Sequence, residues 1–213
     1  MVFEQVSTGG DRNFGYFLAD TEGGCSAVID PSGRPDLFFE LNDRYRTELK
    51  YVICTHDHFD HTGGAQELAR QSSALVVMHK ITGDRADLPV DDGEELVMGS
   101  VILKVIYTPG HTADSICILC RDILLTGDTL FVGKVGGTDL GEGARAEYDS
   151  LHRKLLKLAD ETKVYPGHDY GVAASSTIGR EKKTNPFILQ KNFEDFVSLK
   201  ANWAEYKRQH GIN

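Results

Sequence analysis

Four side chains able to ligate a metal, His56, His58, Asp60 and His61, fall within six residues as H-x-H-x-D-H. A buried core has no use for so many ionisable groups in one short stretch, because each must be paired or neutralised once water is removed. Imidazole suits zinc or iron, and a carboxylate adds the hard oxygen that borderline divalent ions accept. The rival account is a solvated polar loop that happens to be rich in histidine, and the ligand-like spacing weighs against it.

The segments around this run predict how it is held. Lys50 to Cys54 is apolar and β-branched like a buried strand, whereas Thr62-Gly63-Gly64 followed by Ala65 to Ala69 resembles a helix start. On such a strand-to-helix loop, His56 and His58 can face one way and Asp60 and His61 another, so two adjacent cations are expected. Three later residues sit where strands run out: His111 after Thr108-Pro109-Gly110, Asp128 after Leu125-Thr126-Gly127, and His168 after Tyr165-Pro166-Gly167. Any one alone reads as a hydrogen-bonded core group. Together with the first cluster they read as ligands, because a sheet fixes the backbone and glycine turns allow close approach. His79, His152 and His210 are expected to be non-ligands, the last two on exposed surface.

The remaining chain supplies the scaffold. Strands are predicted over 2–6, 14–19, 25–29, the segment ending at Cys54, 74–78, 101–107, 115–120 and 122–125, with a Gly- and Asp-rich loop through Asp92-Gly93. A helix is expected over 36–45. Apolar residues three or four apart predict one helix over 144–158 and another over 192–209, the latter capped by Asn192. Two strand-rich halves, each with helices, suggest two sheets face to face with helices outside, in one domain spanning 1–213.

Composition narrows the function. A hydrophobic content of 40% and a charged content of 26% suit a soluble globular chain, and the net charge of -9 disfavours nucleic acid as a partner. No stretch approaches a membrane span, and Met1 to Gln5 has neither a basic flank nor an apolar run, so a cytoplasmic location is expected. The four cysteines then read as reduced thiols. Cys117 and Cys120 form a C-x-x-C, but three apart on a strand they face opposite sides and should not meet.

H-x-H-x-D-H, the histidine of Thr108-Pro109-Gly110-His111-Thr112, the aspartate of Thr126-Gly127-Asp128 and the histidine of Tyr165-Pro166-Gly167-His168 resemble, in order and spacing, the metallo-β-lactamase superfamily. The resemblance covers nearly the whole chain. It implies an α/β fold, the αββα four-layer sandwich, with metals at one edge of the sheets. It further implies His56, His58 and His111 as ligands of one metal, Asp60, His61 and His168 of the other, and Asp128 bridging them. His58 departs from the H-x-E of the superfamily's flavin-linked diiron oxidases, and Asp128 departs from secreted lactamases.

Asp60-His61-Thr62-Gly63-Gly64 and Thr129-Leu130-Phe131-Val132 are similar to the glyoxalase II group, whereas Gly136-Gly137-Thr138-Asp139, His168-Asp169-Tyr170 and Thr184-Asn185-Pro186 are similar to the persulfide dioxygenases. The first likeness implies a hydrolase with two divalent ions, zinc or a zinc and iron mixture, acting on a small thioester such as a hydroxyacylglutathione. Hydroxide generated between cations about 3.5–4 Å apart would be its nucleophile. Asp60 is then a catalytic candidate and Tyr170 a candidate substrate contact. Two departures weaken the glutathione part: Gly137 stands where a basic residue is expected, with Lys134 close by, and only Asn192 to Asn213 remains of the long C-terminal extension. The second likeness implies one iron(II) on His56, His111 and Asp128, with oxygen and a persulfide as substrates. A non-catalytic metal-binding module would need an incomplete ligand set, and nothing in this set is missing. Arg180, Lys182 and Lys183 read as a solvated helix face. Oligomeric state is left open.

Overall fold

A computed structural model describes residues 1–211. The first half of the chain forms one six-stranded sheet, with strands β1 (Val2–Gly9), β2 (Asn13–Asp20), β3 (Cys25–Ile29), β4 (Glu48–Ile53), β5 (Leu75–His79) and β6 (Leu88–Val90) side by side in chain order. β1, β2 and β3 pair antiparallel; the β3–β4, β4–β5 and β5–β6 pairs are parallel. Parallel pairing requires a crossover. Helix α1 (Pro35–Tyr45) spans the first, and α2 (Phe59–Thr62) with α3 (Ala65–Ser72) the second.

The second sheet belongs wholly to the rest of the chain. It contains β7 (Glu95–Met98), β8 (Val101–Tyr107), β9 (Ile116–Cys120) and β10 (Ile123–Gly127), then, beyond the small ribbon β11 (Leu130–Phe131) and β12 (Lys134–Val135), β13 (Lys163–Pro166) and β14 (Ser176–Thr177). All its pairs are antiparallel except β10 with β13. Helices α4 (Glu142–Arg153), α5 (Ile178–Thr184), α6 (Phe193–Ala201) and α7 (Trp203–His210) complete this half.

Alternation along the strands creates three apolar layers. Leu18, Ile29, Ile53 and Val77 meet Met98, Leu103, Ile116 and Leu125 between the sheets. Phe17, Val28 and Val52 pack under Phe38 of α1 and Leu68 of α3, while Leu124 and Val164 pack under Leu151 of α4 and Phe196 of α6. The result is the expected αββα sandwich. Cys120 lies in the layer between the sheets and Cys117 in the outer one, both as free thiols.

Three expectations need correction. The predicted helix 144–158 ends at Arg153, because the next residue, Lys154, turns its ammonium to Asp92 at 2.8 Å and to the Tyr107 carbonyl at 2.7 Å; a 3-10 turn, Leu155–Lys157, follows. The predicted helix 192–209 is two helices broken at Asn202, whose side-chain amide donates to the Ser198 carbonyl at 2.8 Å. Its proposed cap is present: the Asn192 side chain accepts the Asp195 N–H at 2.8 Å. The loop read through Asp92-Gly93 is flanked by two short edge strands, β6 and β7. No helix among the described residues is long and apolar enough to cross a membrane.

Candidate metal centre

The sheet registers deliver the functional side chains to one edge of the sandwich. Parallel pairing sets Ile29 opposite Ile53, so Asp30 emerges beside the Cys54-Thr55-His56 loop. In the other sheet Gly127 lies opposite Pro166, and Asp128 and His168 leave their strands together. The sheets are joined at this edge by the Ile116 N–H donating to the Thr55 carbonyl at 2.8 Å and the Phe14 N–H donating to the Gly167 carbonyl at 2.8 Å. Two glycines permit the approach. Gly110 adopts φ +153°, and a Cβ there would come within 2.4–2.6 Å of Glu147 in α4; a Cβ on Gly167 would lie 2.4 Å from an Asp128 oxygen.

All seven predicted residues converge. His56, His58 and His111 form one group able to hold an ion, and Asp60, His61 and His168 form another, the ligand atoms of each lying within 4.8 Å of one another. Asp128 stands between them. Its Oδ2 is 3.6 Å from His111 Nε2 and 3.4 Å from His168 Nε2, and its Oδ1 is 3.4 Å from His61 Nε2. Asp60 Oδ2 lies 3.4 Å from His168 Nε2, with its side chain 46% exposed, so the centre opens to solvent on the His58 and Asp60 side.

Hydrogen bonds behind the candidate ligands decide which way the imidazole rings face. His111 Nδ1–H donates to the Gly137 carbonyl at 2.8 Å, and His168 Nδ1–H to the Asp11 carbonyl at 2.9 Å. His61 Nδ1–H donates to Asp30 at 2.9 Å. The Thr55 hydroxyl spends its proton on Asp30 at 2.7 Å, so its oxygen accepts His56 Nδ1–H at 3.1 Å. Each ring is thereby anchored through Nδ1 with its Nε2 turned inward. The consequence is a crowd of inward nitrogens: His61 Nε2 and His168 Nε2 are 3.2 Å apart, and His58 Nδ1 lies 3.0 Å from His56 Nε2 and 3.1 Å from His111 Nε2. Asp128 Oδ1 is buried with no hydrogen-bond partner among the described residues. A cation among them would satisfy these nitrogens and the orphaned carboxylate oxygen together. The donor set fits divalent zinc or iron.

The electrostatics divide the imidazoles into two kinds, His56 and His111 being kept neutral while the neighbouring carboxylates favour a proton on His61 and His168. Burial, then the neighbouring His61, holds the His56 pKa well below its usual value, and burial lowers that of His111. Burial opposes protonation of His61 too, but Asp30, Asp128 and Asp60 carry its pKa up to about 9. Burial opposes ionisation of Asp128, yet His168, His61 and His56 hold its pKa far below the carboxylate range.

Asp30, Thr55, Asn13 and the carbonyls of Asp11 and Gly137 were not marked by the sequence reading. Asp30 offered the one usable signal, since Ile29-Asp30-Pro31 has the same strand-end placement as Asp128. Tyr170 stacks on His168, ring centroids 4.5 Å apart and 4° from parallel, and its hydroxyl donates to Asp11. His79 is buried and stacked on Tyr107, and the exposed His210 lies in α7; neither joins the centre. His152, expected on exposed surface, is half-buried against Tyr148, because helix α4 turns it toward the ring one turn back. Arg180 and Lys183 are exposed as expected, and Lys182 pairs with Asp160 at 2.6 Å.

Residues 9–168 match the family model described as the metallo-beta-lactamase superfamily. The human mitochondrial persulfide dioxygenase ETHE1 is 32% identical over 210 residues, covering 94% of this chain and 79% of its own. A hydroxyacylglutathione hydrolase of a Polaromonas strain is 35% identical over 178 residues, covering 80% of this chain and 67% of its own. Among solved structures, ETHE1 from Myxococcus xanthus superposes with a TM-score of 0.89 at 35% identity, covering 95% of this chain and 91% of that one.

Proposed function

This chain belongs to the metallo-beta-lactamase superfamily, and on that premise we propose that it is a metal-dependent hydrolase of a small thioester. The observation that carries this reading is the pair of ligand groups flanking one shared carboxylate, Asp128. A mononuclear centre on His56, His111 and Asp128 would leave Asp60, His61 and His168 converging on nothing. Two divalent cations held there, zinc or zinc with iron, would supply hydroxide near neutral pH and polarise the thioester carbonyl.

The chain's own residues do the remaining work. His56, His58 and His111 hold one position, Asp60, His61 and His168 the other, with Asp128 common to both. Asp60 faces the solvent opening. Burial disfavours its charge, but the Asn13 amide at 3.0 Å, with His61 and His168, keeps its pKa below the usual carboxylate value. It is thus ionised when water enters and is placed to orient that water toward the substrate. Tyr170, beside His168, forms the wall against which the thiol half of the substrate lies. A hydroxyacylglutathione is the compact example of such a substrate, in keeping with the Polaromonas relative.

The test is hydrolysis without oxygen. Protein loaded with zinc, or with zinc and iron, is expected to release thiol from thioesters such as S-lactoylglutathione under strict anaerobiosis. The likeness to ETHE1 supports a second reading, persulfide dioxygenase. One iron per chain, no thioester cleavage, and oxygen uptake on adding glutathione persulfide would establish it and overturn the first.

A further inference from the structure

The two ligand groups are held from behind by different parts of the chain. His56 rests on Thr55 and His111 on the Gly137 carbonyl. In the other group, His168 and Asp60 both lean on the turn between β1 and β2. The Asp11 carbonyl there accepts His168 Nδ1–H at 2.9 Å, the Arg12 carbonyl accepts the Asp169 N–H at 2.9 Å, and the Asn13 backbone bridges to that of His168. Among the described residues, this turn makes no hydrogen bond to His56, His58 or His111.

Asn13, the first residue of β2, is the centre of the turn and is 1% exposed. Its Oδ1 accepts the Asp11 N–H at 3.0 Å, which settles how the amide is turned. Its Nδ2 therefore faces Asp60, donating to the backbone carbonyl at 3.1 Å and to Oδ2 at 3.0 Å. The turn is shaped around this side chain: Gly10 adopts φ +57°, and a Cβ there would lie 2.8 Å from Asn13 Oδ1. Asp60 Oδ2 is also the oxygen that faces the other two ligands, 3.4 Å from His168 Nε2 and 3.9 Å from His61 Nε2. A carboxylate oxygen has two lone pairs, so one takes the amide proton and the other stays free for an ion. With the Asp60 side chain 46% exposed, no second side-chain hydrogen bond among the described residues fixes which oxygen turns inward.

We infer that Asn13 is a positioning residue for the second metal position alone: by holding Asp60, while Asp11 holds His168, the β1–β2 turn decides whether the chain carries one cation or two. This rests on the two-cation part of the proposed function and needs nothing of its substrate. The physical basis is preorganisation. A half-exposed carboxylate left to rotate must be ordered by the incoming ion, which lowers affinity, whereas one already held by a buried amide needs no such ordering. His56, His58 and His111 owe nothing to the turn, so the first position does not feel its loss.

Cobalt(II) titration of the chelator-stripped chain reads the two positions separately, because exchanging a histidine for a carboxylate changes the visible bands of the ion. Asp60→Ala identifies the second step. Asn13→Ala removes the amide and leaves space, whereas Asn13→Leu removes it and keeps the volume, so a loss common to both is not a packing effect. In both, the second cobalt is expected to bind about 10- to 100-fold more weakly and the first within about 2-fold of the parent, the unchanged first step reporting an intact fold. Elemental analysis after gel filtration should count close to one metal per chain at a cobalt level where the parent carries two. Equal weakening of both steps would make the turn a general support and overturn the inference, as would variants that bind both ions like the parent. A parent that takes up one ion at most would overturn the two-cation reading and the inference with it.

Discussion

Asp30 shows how much one carboxylate can organise. It is 1% exposed, sits at φ 49°, and accepts the Thr55 N–H at 2.7 Å, the Thr55 hydroxyl at 2.7 Å and His61 Nδ1–H at 2.9 Å. Through those bonds it fixes His61 directly and His56 by way of Thr55. Asp30→Asn puts an amide donor where an acceptor is needed, driving His61 toward the tautomer whose Nε2–H faces the metals. Affinity for the second metal is expected to fall about 10- to 100-fold, measured by competition with a chromogenic chelator. Asp128 and His168 differ in kind. Asp128→Ala should lose both metals and activity together, whereas His168→Ala should chiefly empty one position, and metals counted per chain by elemental analysis distinguish the two outcomes. The convergence of the seven candidate ligands was legible because four share one short motif and three follow the same strand-then-glycine pattern. Asp30 was not, since its meaning depends on Thr55 and His61, brought to it by a parallel strand pairing that local sequence does not spell out.

Among the elements, α6 reaches the centre through a buried ion pair. Lys200 donates to Glu147 of α4 and to the Gly136 carbonyl at 2.6 Å, and the next carbonyl, Gly137, orients His111. Both side chains are almost wholly buried. Burial pushes the Glu147 carboxyl up to about 7 against the pull of Lys200. Lys200→Met therefore strands a buried carboxylate and is expected to cost about 3–5 kcal/mol in urea unfolding, with Glu147→Leu in the same chain recovering most of it. A different tie joins the two sheets far from the metals. Asp20, at the end of β2, accepts the Ser100 N–H at 2.7 Å from the β7–β8 turn and the Gly23 N–H at 3.1 Å. Those bonds lower its pKa from 3.8 to about 2. Because the folded pKa is depressed, the stabilisation is present above pH 4 and lost as pH falls toward 2. The gap in urea midpoint between the parent and Asp20→Asn should close across that interval. Strand and helix positions were largely readable from apolar period, but the breaks at Lys154 and Asn202 were not. Each depends on a polar side chain reaching a carbonyl, and the period of buried residues runs on past it.

For the molecule as a whole, two sheets with helices outside followed from the two strand-rich halves, whereas the edge strands β6 and β7 are too short to leave a periodic signal. Those same edge strands mark a division of the chain. Every strand of the first sheet precedes Asp91 and every strand of the second follows Asp92. Even the two aspartates respect it: Asp91 pairs with Lys80 of the first half, while Asp92 accepts the Tyr107 N–H at 2.8 Å and the Lys154 ammonium in the second. His56, His58, Asp60 and His61 lie on one side of the cut, and His111, Asp128 and His168 on the other. Two separate polypeptides, 1–91 and 92–213, should therefore reunite through the apolar layer between the sheets, and reunion completes a candidate ligand set that each half carries only in part. Mixed in chelator they should associate one to one through that layer, and added zinc should tighten the pair, since a ligand that binds the joined state better favours it by mass action. Light scattering or gel filtration, with and without zinc, would record both steps: halves of a severed protein joined by their cores and locked at the seam by a cation.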